Sequence, residues 1–98
     1  MNVVYEDFDI RVAEEDIPAL GHMLHCEAYR WAASVYRKLL WILMYCAYKH
    51  DVVYGIVVSD KQKKFMEILG FTPNDNKVIS VDGIVYETYK FEVEKWKQ

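Results

Sequence analysis

Three residues with metal-binding or nucleophilic side chains stand close together early in the chain: His22, His25 and Cys26, followed by Glu27. Imidazole, thiolate and carboxylate groups are the ligands that zinc prefers. The two histidines are three residues apart and would share one face of a helix. One helical turn supplies at most two good ligands, and no other residues of the chain have ligand spacing. We therefore expect no metal site.

The thiols and the basic residues also favour structural roles. Cys26 and Cys46 stand among apolar residues of predicted helices, which favours buried free thiols. Lys61, Lys63 and Lys64 form a basic cluster that is typical of a solvated helix face, and a phosphate-binding patch is the alternative. The net charge of −3 has the wrong sign for general nucleic-acid binding and is too small for an acidic DNA mimic.

Aromatic residues make up 15% of the chain, and several lie in or just before a long uncharged segment, Leu39 to Tyr48. A helix that is apolar on every side must be covered on several faces, and a chain of 98 residues has little interior for so many large side chains. Either they all pack in the core, or some form an interface with another protein or a second copy. The candidate interface residues are Tyr29, Trp31, Trp41, Tyr45 and Tyr48.

Length and composition indicate one globular domain that spans residues 1–98, with 53% hydrophobic and 28% charged residues. The longest apolar run is half of the roughly twenty residues that a membrane-spanning helix needs, so no membrane partner is expected. We expect no signal peptide, since Met1 to Tyr5 leads straight into Glu6 and Asp7. Together with the free thiols, this predicts the cytoplasm, either of a host or of a virus-infected cell.

The first half of the chain predicts one strand and two helices. Residues 9–13 are expected to form a short strand. Glu14, Glu15, Asp16 and Pro18 then suit a helix start, and apolar residues at spacings of three and four predict a helix over residues 17–28. The second helix is predicted over residues 34–50.

The second half predicts a strand, a helix and a β-hairpin. The β-branched run at residues 52–58 indicates a central strand. Ser59 or Asp60 caps a third helix over residues 61–69, which Gly70 ends, and residues 73–76 form a loop. Asp82-Gly83 predicts a type I′ turn between strands 77–81 and 84–93. The more buried face of the last strand is expected to carry Val85, Tyr89, Phe91 and Val93. The predicted fold class is α/β (α+β), a small mixed sheet with about three helices.

Two segments resemble the GNAT family of N-acetyltransferases. Phe65-Met66-Glu67-Ile68-Leu69-Gly70-Phe71 is similar to the "FYEKLGF"-like phrase that precedes the final hairpin of that family. Ile10-Arg11-Val12-Ala13, with Glu15-Asp16-Ile17 and Leu20, resembles its first strand and helix. With the strand and hairpin around them, these segments cover roughly two thirds of the chain. The resemblance implies a partial GNAT-like (acyl-CoA N-acyltransferase-like) fold that ends in a β-hairpin, and it points to a bacteriophage source.

The chain departs from that family at the positions that serve chemistry. Between Leu24 and Ser34 we expect no room for the three central strands of the family, so the predicted domain lacks them. The segment that corresponds to the family's glycine-rich phosphate loop, residues 29–34, has no glycine. Ser59 stands near the place of a cofactor-contacting Asn. Met66 stands at the position of a proton-donating Tyr, and a thioether cannot donate a proton.

We therefore expect a non-catalytic, GNAT-like protein-interaction module with no cofactor, serving as a bacteriophage virion component or an inhibitor of a host system. The partner would be another protein or a second copy, which would make the chain a dimer subunit. The alternative is a minimal N-acetyltransferase that uses acetyl-CoA. In that case Arg30 and Ser34, at the start of the second helix, are the candidate cofactor-binding residues.

Overall fold

A computed structural model describes residues 1–18 and 20–92. The described residues form six strands and two helices. In chain order they are β1 (Asn2–Glu6), β2 (Ile10–Ile17), β3 (Gly21–Ala28), α1 (Ala33–His50), β4 (Val52–Val57), α2 (Asp60–Leu69), β5 (Thr72–Ile79) and β6 (Val85–Glu92).

All six strands belong to one mixed sheet in the order β1-β2-β3-β4-β6-β5. The β1–β2, β2–β3, β4–β6 and β5–β6 pairs are antiparallel. The β3–β4 pair is parallel, and α1 is the crossover that a parallel pair requires. The predicted α/β class with a mixed sheet is confirmed, but the prediction of about three helices is wrong, since the described residues contain two.

The predicted helix over residues 17–28 is replaced by the end of β2, a turn and β3. Its spacing of apolar residues suited a helix, but cross-strand pairing decided the outcome. Glu14 and Asp16 of β2 both contact His22 of β3, and Glu15 contacts His25. The acidic run therefore supplies cross-strand hydrogen bonds instead of a helix start. Between Leu24 and Ser34 lie only the end of β3, a short connection and the start of α1.

The long helix begins and ends close to its predicted bounds and carries the largest part of the core. Its buried residues are Val35, Leu39, Leu43, Cys46 and Ala47. They pack in one cluster with strand residues such as Ile10 and Val53 and with Met66 and Leu69 of α2. The hydroxyl of Tyr36 also donates to the carbonyl of Ile68 at 3.3 Å. Both helices therefore share one core with the sheet.

The second half agrees with the prediction in its elements and differs in detail. Ser59 caps α2 by accepting a hydrogen bond from the Gln62 amide, and Gly70 ends α2 with φ of 100°. Residues 73–76, predicted to be a loop, belong to β5, which has an irregularity between Asn74 and Lys77.

The β5–β6 hairpin is antiparallel as predicted, but its turn is not type I′. Only Gly83 of the loop has a positive φ, 82°, whereas a type I′ turn needs two. The Gly83 amide donates to the Ser80 carbonyl and the Ser80 amide to the Ile84 carbonyl, so a longer loop spans residues 80–84. Tyr89 and Phe91 are buried as predicted, whereas Val85 is 55% exposed at the sheet end. Val93 lies outside the described residues.

Candidate functional site

One side of α1 presents large apolar side chains to solvent. Trp41 is 74% exposed, Tyr45 65% and Tyr48 73%, and Met44 is exposed as well. At 100° per residue, these four lie opposite the stripe of α1 that packs on the sheet. We call Trp41, Met44, Tyr45 and Tyr48 the aromatic face. The structure brings together three of the five predicted interface residues and adds Met44, which the spacing of three and four from its neighbours could have identified.

The other two predicted interface residues lie away from the aromatic face. The Tyr29 hydroxyl donates to Glu6 of β1 at 3.2 Å. The Trp31 ring makes edge-to-face contacts with Phe65 of α2 and with Tyr36, at centroid distances of 5.1 and 6.2 Å. Both side chains remain half exposed. Trp31 therefore joins the start of α1 to α2, while Tyr29 contacts the edge strand.

A crevice opens where the two parallel strands separate. Met23 and Tyr54 are the residue partners of β3 and β4. Towards the carboxyl ends of these strands lies a cavity of about 480 Å³. Its lining comes from β3, from the end of β4 and from α2, and includes Leu24, Cys26, Glu27, Ile56, Gln62 and Phe65. Small-molecule sites in α/β proteins often lie at the carboxyl ends of parallel strands.

The side chains around the crevice are arranged for packing more than for reaction. Desolvation raises the pKa of Cys26 to about 12, so its thiol stays protonated and is a poor nucleophile. His25 is engaged with Glu15 at 2.8 Å. Met66 is buried, and its methyl group lies so close to Gly55 that a β-carbon there would collide with it. Met66, which stands at the position of the family's proton-donating Tyr, is therefore a core contact between α2 and β4.

The two candidate cofactor-binding residues lie near the amino-terminal end of α1. The guanidinium of Arg30 donates through Nε to Asp9 at 2.8 Å, and the backbone amides of Tyr29 and Arg30 both donate to the Asp9 carbonyl. Ser34 is exposed in the first turn. Arg30 thus fastens the segment before α1 to the loop between β1 and β2.

The same loop holds the helix itself through an ion-pair network. Lys38 of α1 lies 2.5 Å from Asp7 and 3.2 Å from Asp9. The hydrogen bond from Lys38, supported by bonds from Tyr5 and from the Ile10 amide, holds the pKa of Asp7 well below its usual range. Hydrogen bonds from Arg30 and Lys38 lower the pKa of Asp9. Both aspartates are therefore ionised across the physiological pH range.

A polar cluster lies near the other end of α1. His22 faces two carboxylates, with Nε2 at 2.8 Å from Glu14 and Nδ1 at 2.9 Å from Asp16. The His50 ring stacks on the His22 ring at 3.6 Å between centroids. Desolvation and the neighbouring His22 lower the pKa of His50. Desolvation alone would raise the pKa of Glu14, but hydrogen bonds from Asn2 and His22 hold it below its usual value.

The histidines and thiol that stood out in the sequence do not form one site. His22 contacts Glu14 and Asp16, whereas His25 contacts Glu15 and lines the crevice. They are three residues apart on a strand, where odd spacings place side chains on opposite faces. Sequence reasoning missed the Glu14, His22 and His50 cluster because its members come from two strands and a helix.

Within residues 1–18 and 20–92, neither helix has the length and apolar character needed to cross a bilayer. Compared with models of known protein families, the chain gives no match, and a comparison with curated proteins likewise finds none.

Proposed function

We propose that this chain is a non-catalytic interaction module that pairs with a second copy of itself through the aromatic face of α1. The observation that carries this proposal is the exposure of Trp41, Tyr45 and Tyr48, each at least 65% exposed, on a helix segment without a charged residue. The largest apolar patch on a typical monomer covers about 300–600 Å² and is often functional, and larger patches mark interaction sites.

The area of the aromatic face suits a modest dimer. A large aromatic side chain has about 150–250 Å² to bury, so the exposed parts of three of them offer on the order of 400 Å². With Met44 and a polar rim, two copies would bury about 1,000 Å² in total, which is the lower bound of a specific interface. We therefore expect reversible association in the micromolar range.

The spacing of the exposed residues suits a helix pair. Arg37, Trp41, Met44 and Tyr48 follow one another at intervals of four, three and four, which is the repeat of a two-helix seam. In an antiparallel pair with a two-fold axis between Met44 and Tyr45, Trp41 would oppose Tyr48 of the second copy. A two-fold interface uses the same patch on both copies, so a single face suffices and no other partner is needed.

The GNAT-like assignment is part of this proposal and rests on the sequence resemblance. It is supported by the FMEILGF phrase, which forms the second half of α2, its glycine end and the residue before β5. The absence of catalysis is supported by the protonated Cys26 thiol and by the burial of Met66. If the source is a bacteriophage, as the resemblance implies, such a module would serve as a virion component or an inhibitor of a host system.

A minimal N-acetyltransferase is the second candidate, and the crevice between β3 and β4 is the observation that favours it. Its cavity of about 480 Å³ could admit part of an acyl-CoA. Two features weigh against this candidate. Arg30 is already paired with Asp9, and Trp31 packs between the start of α1 and Phe65, where the family's phosphate loop would need small residues.

Sedimentation velocity of the purified chain over about 1–200 μM tests the pairing. We expect a shift from monomer to dimer within that range. A chain that stays monomeric throughout would contradict a second copy as the partner. It would indicate that the aromatic face binds a different protein. Assembly beyond a dimer, growing without limit, would also contradict it, because a two-fold interface closes.

A further inference from the structure

We propose that Glu14, His22 and His50 form a zinc-binding site that joins strands β2 and β3 to the carboxyl-terminal end of α1. One ligand atom from each residue lies within 4.8 Å of the other two. All three side chains are partly buried. Two imidazoles and one carboxylate are a ligand set that zinc uses when a fourth position is left to water.

The hydrogen bonds of His22 carry this inference. Both ring nitrogens of His22 face carboxylate oxygens, Asp16 at 2.9 Å and Glu14 at 2.8 Å. An ionised carboxylate only accepts, and a neutral imidazole carries one N–H. Once Nδ1 donates to Asp16, a second positive group must lie between Nε2 and Glu14. At the 2.8 Å separation a second proton fills that place, and a metal ion that replaces this proton would take Nε2 and the Glu14 oxygen as its ligands.

The surroundings of these ligands match the shell that a metal site requires. Asp16 accepts from Nδ1 of His22, and a carboxylate in that position fixes the tautomer that leaves Nε2 free for the metal. Asn2 donates to the other carboxylate oxygen of Glu14 at 3.2 Å, which orients that ligand. The His22 side chain is only 9% exposed, so its geometry is held by the protein.

Closure around zinc requires small movements of the ligand side chains. Tetrahedral zinc with bonds of about 2.0–2.1 Å places its ligand atoms about 3.4 Å apart. The His22 and Glu14 atoms are 2.8 Å apart, so they must separate by about 0.6 Å. His50 is in the last turn of α1, and rotation of its ring out of the stack with His22 brings its nitrogen to the ion. A depression lined by Met1, Asn2, Glu14 and Asp16 gives solvent access.

Isothermal titration of the EDTA-treated chain with Zn²⁺ tests the site. We expect one zinc per chain with a micromolar or lower Kd, and no saturable binding of Mg²⁺, which prefers oxygen ligands. His22→Ala and His50→Gln should each weaken binding at least a hundredfold. His25→Ala is the matched control, since His25 lies on the same strand and pairs with Glu15. It should leave the Kd unchanged.

A second measurement keeps the test decisive if His22→Ala does not fold. His50→Gln and Glu14→Gln change residues at the helix end and on the sheet surface, and circular dichroism verifies their folding. Co²⁺ in place of Zn²⁺ should give the intense visible bands of a tetrahedral site in the wild type, and these should disappear in either variant. Asp16→Asn, which changes a positioning residue, should weaken zinc binding by about 10–100-fold.

Two results would overturn the proposal. One is the lack of zinc binding below millimolar concentration by the folded wild type. The other is an equal loss of binding in His25→Ala and His50→Gln, since that would indicate general binding to surface histidines. Neither depends on dimer formation, because His50 faces the sheet while the aromatic face lies on the opposite side of α1.

Discussion

The two sides of α1 have nearly the same apolar character and opposite surroundings. On one side Leu39, Leu43 and Cys46 are at most 2% exposed against the sheet. On the other, Trp41 and Tyr45 lie in solvent. The two sides differ in what covers them: the sheet covers the first, whereas Trp41 and Tyr45 on the second stay mostly exposed among residues 1–18 and 20–92. In the proposed function, the second side is the interface with another copy of the chain.

The largest difference between the two sides should appear in the free energy of unfolding. Leu43→Ala removes a fully buried side chain from the core and should lower that free energy by about 2–5 kcal/mol. Trp41→Ala, on the other side of the same helix, should change it by about 1 kcal/mol or less. Urea unfolding at a concentration where the wild type is monomeric measures both. A loss from Trp41→Ala as large as that from Leu43→Ala would show that the two sides are not distinct.

The ion pairs that Asp7 and Asp9 make with Lys38 and Arg30 should make the stability of the fold sensitive to acid. Asp7 and Asp9 have pKa values below those of an unfolded chain because of Lys38 and Arg30. As the pH falls below about 4, the unfolded chain takes up protons that the folded one resists. The stabilisation, complete above that pH, is therefore lost as the pH falls through the folded pKa values. Asp7→Asn should reduce the change in urea midpoint between pH 5.5 and 2.5.

The matched control for Asp7→Asn is Asp82→Asn, which changes an exposed aspartate in the hairpin loop. It should keep the acid response of the wild type. If both variants respond alike, the Lys38 network does not hold α1 to the β1–β2 loop, and the core contacts of the helix with the sheet and α2 anchor it instead.

The smallest effect is expected for the binding of acetyl-CoA at the amino-terminal end of α1. Acetyl-CoA should bind no tighter than about 1 mM, or about −4 kcal/mol, because Arg30 is paired with Asp9 and Trp31 packs on Phe65. Calorimetry should give the same weak response for the wild type and Arg30→Ala. A micromolar Kd that weakens in Arg30→Ala would instead establish a cofactor site at this end of α1 and favour the enzyme.

Helix α1 and the capped helix α2 could be predicted from sequence because their signals are local. The uncharged run of α1, the Ser59 cap and the Gly70 end each depend on neighbouring residues. The strands before α1 could not be predicted in this way. Residues 17–28 have helical spacing, and their strand structure depends on pairing between Asp16 and His22 and between Glu15 and His25. Such pairing appears only once the register is known.

The residues of the candidate site also fall into two groups, those that local spacing predicts and those that depend on tertiary contacts. Trp41, Tyr45 and Tyr48 could be named because one helix places them together. Tyr29 and Trp31 lie apart from these three, because the direction of a side chain before a helix is set by tertiary contacts, here with Glu6 and Phe65. The meeting of His22 with His50 joins a strand to a helix end, and no local spacing predicts it.

Sedimentation of two matched variants tests the central claim most directly. Trp41→Glu and Ile68→Glu each place a carboxylate at an exposed apolar helix position, since Ile68 of α2 is 62% exposed. We expect Ile68→Glu to dimerise like the wild type. Trp41→Glu should remain monomeric and folded at concentrations at least tenfold higher. Equal dimerisation of both variants would contradict the account, because it would place the interface away from the aromatic face of α1.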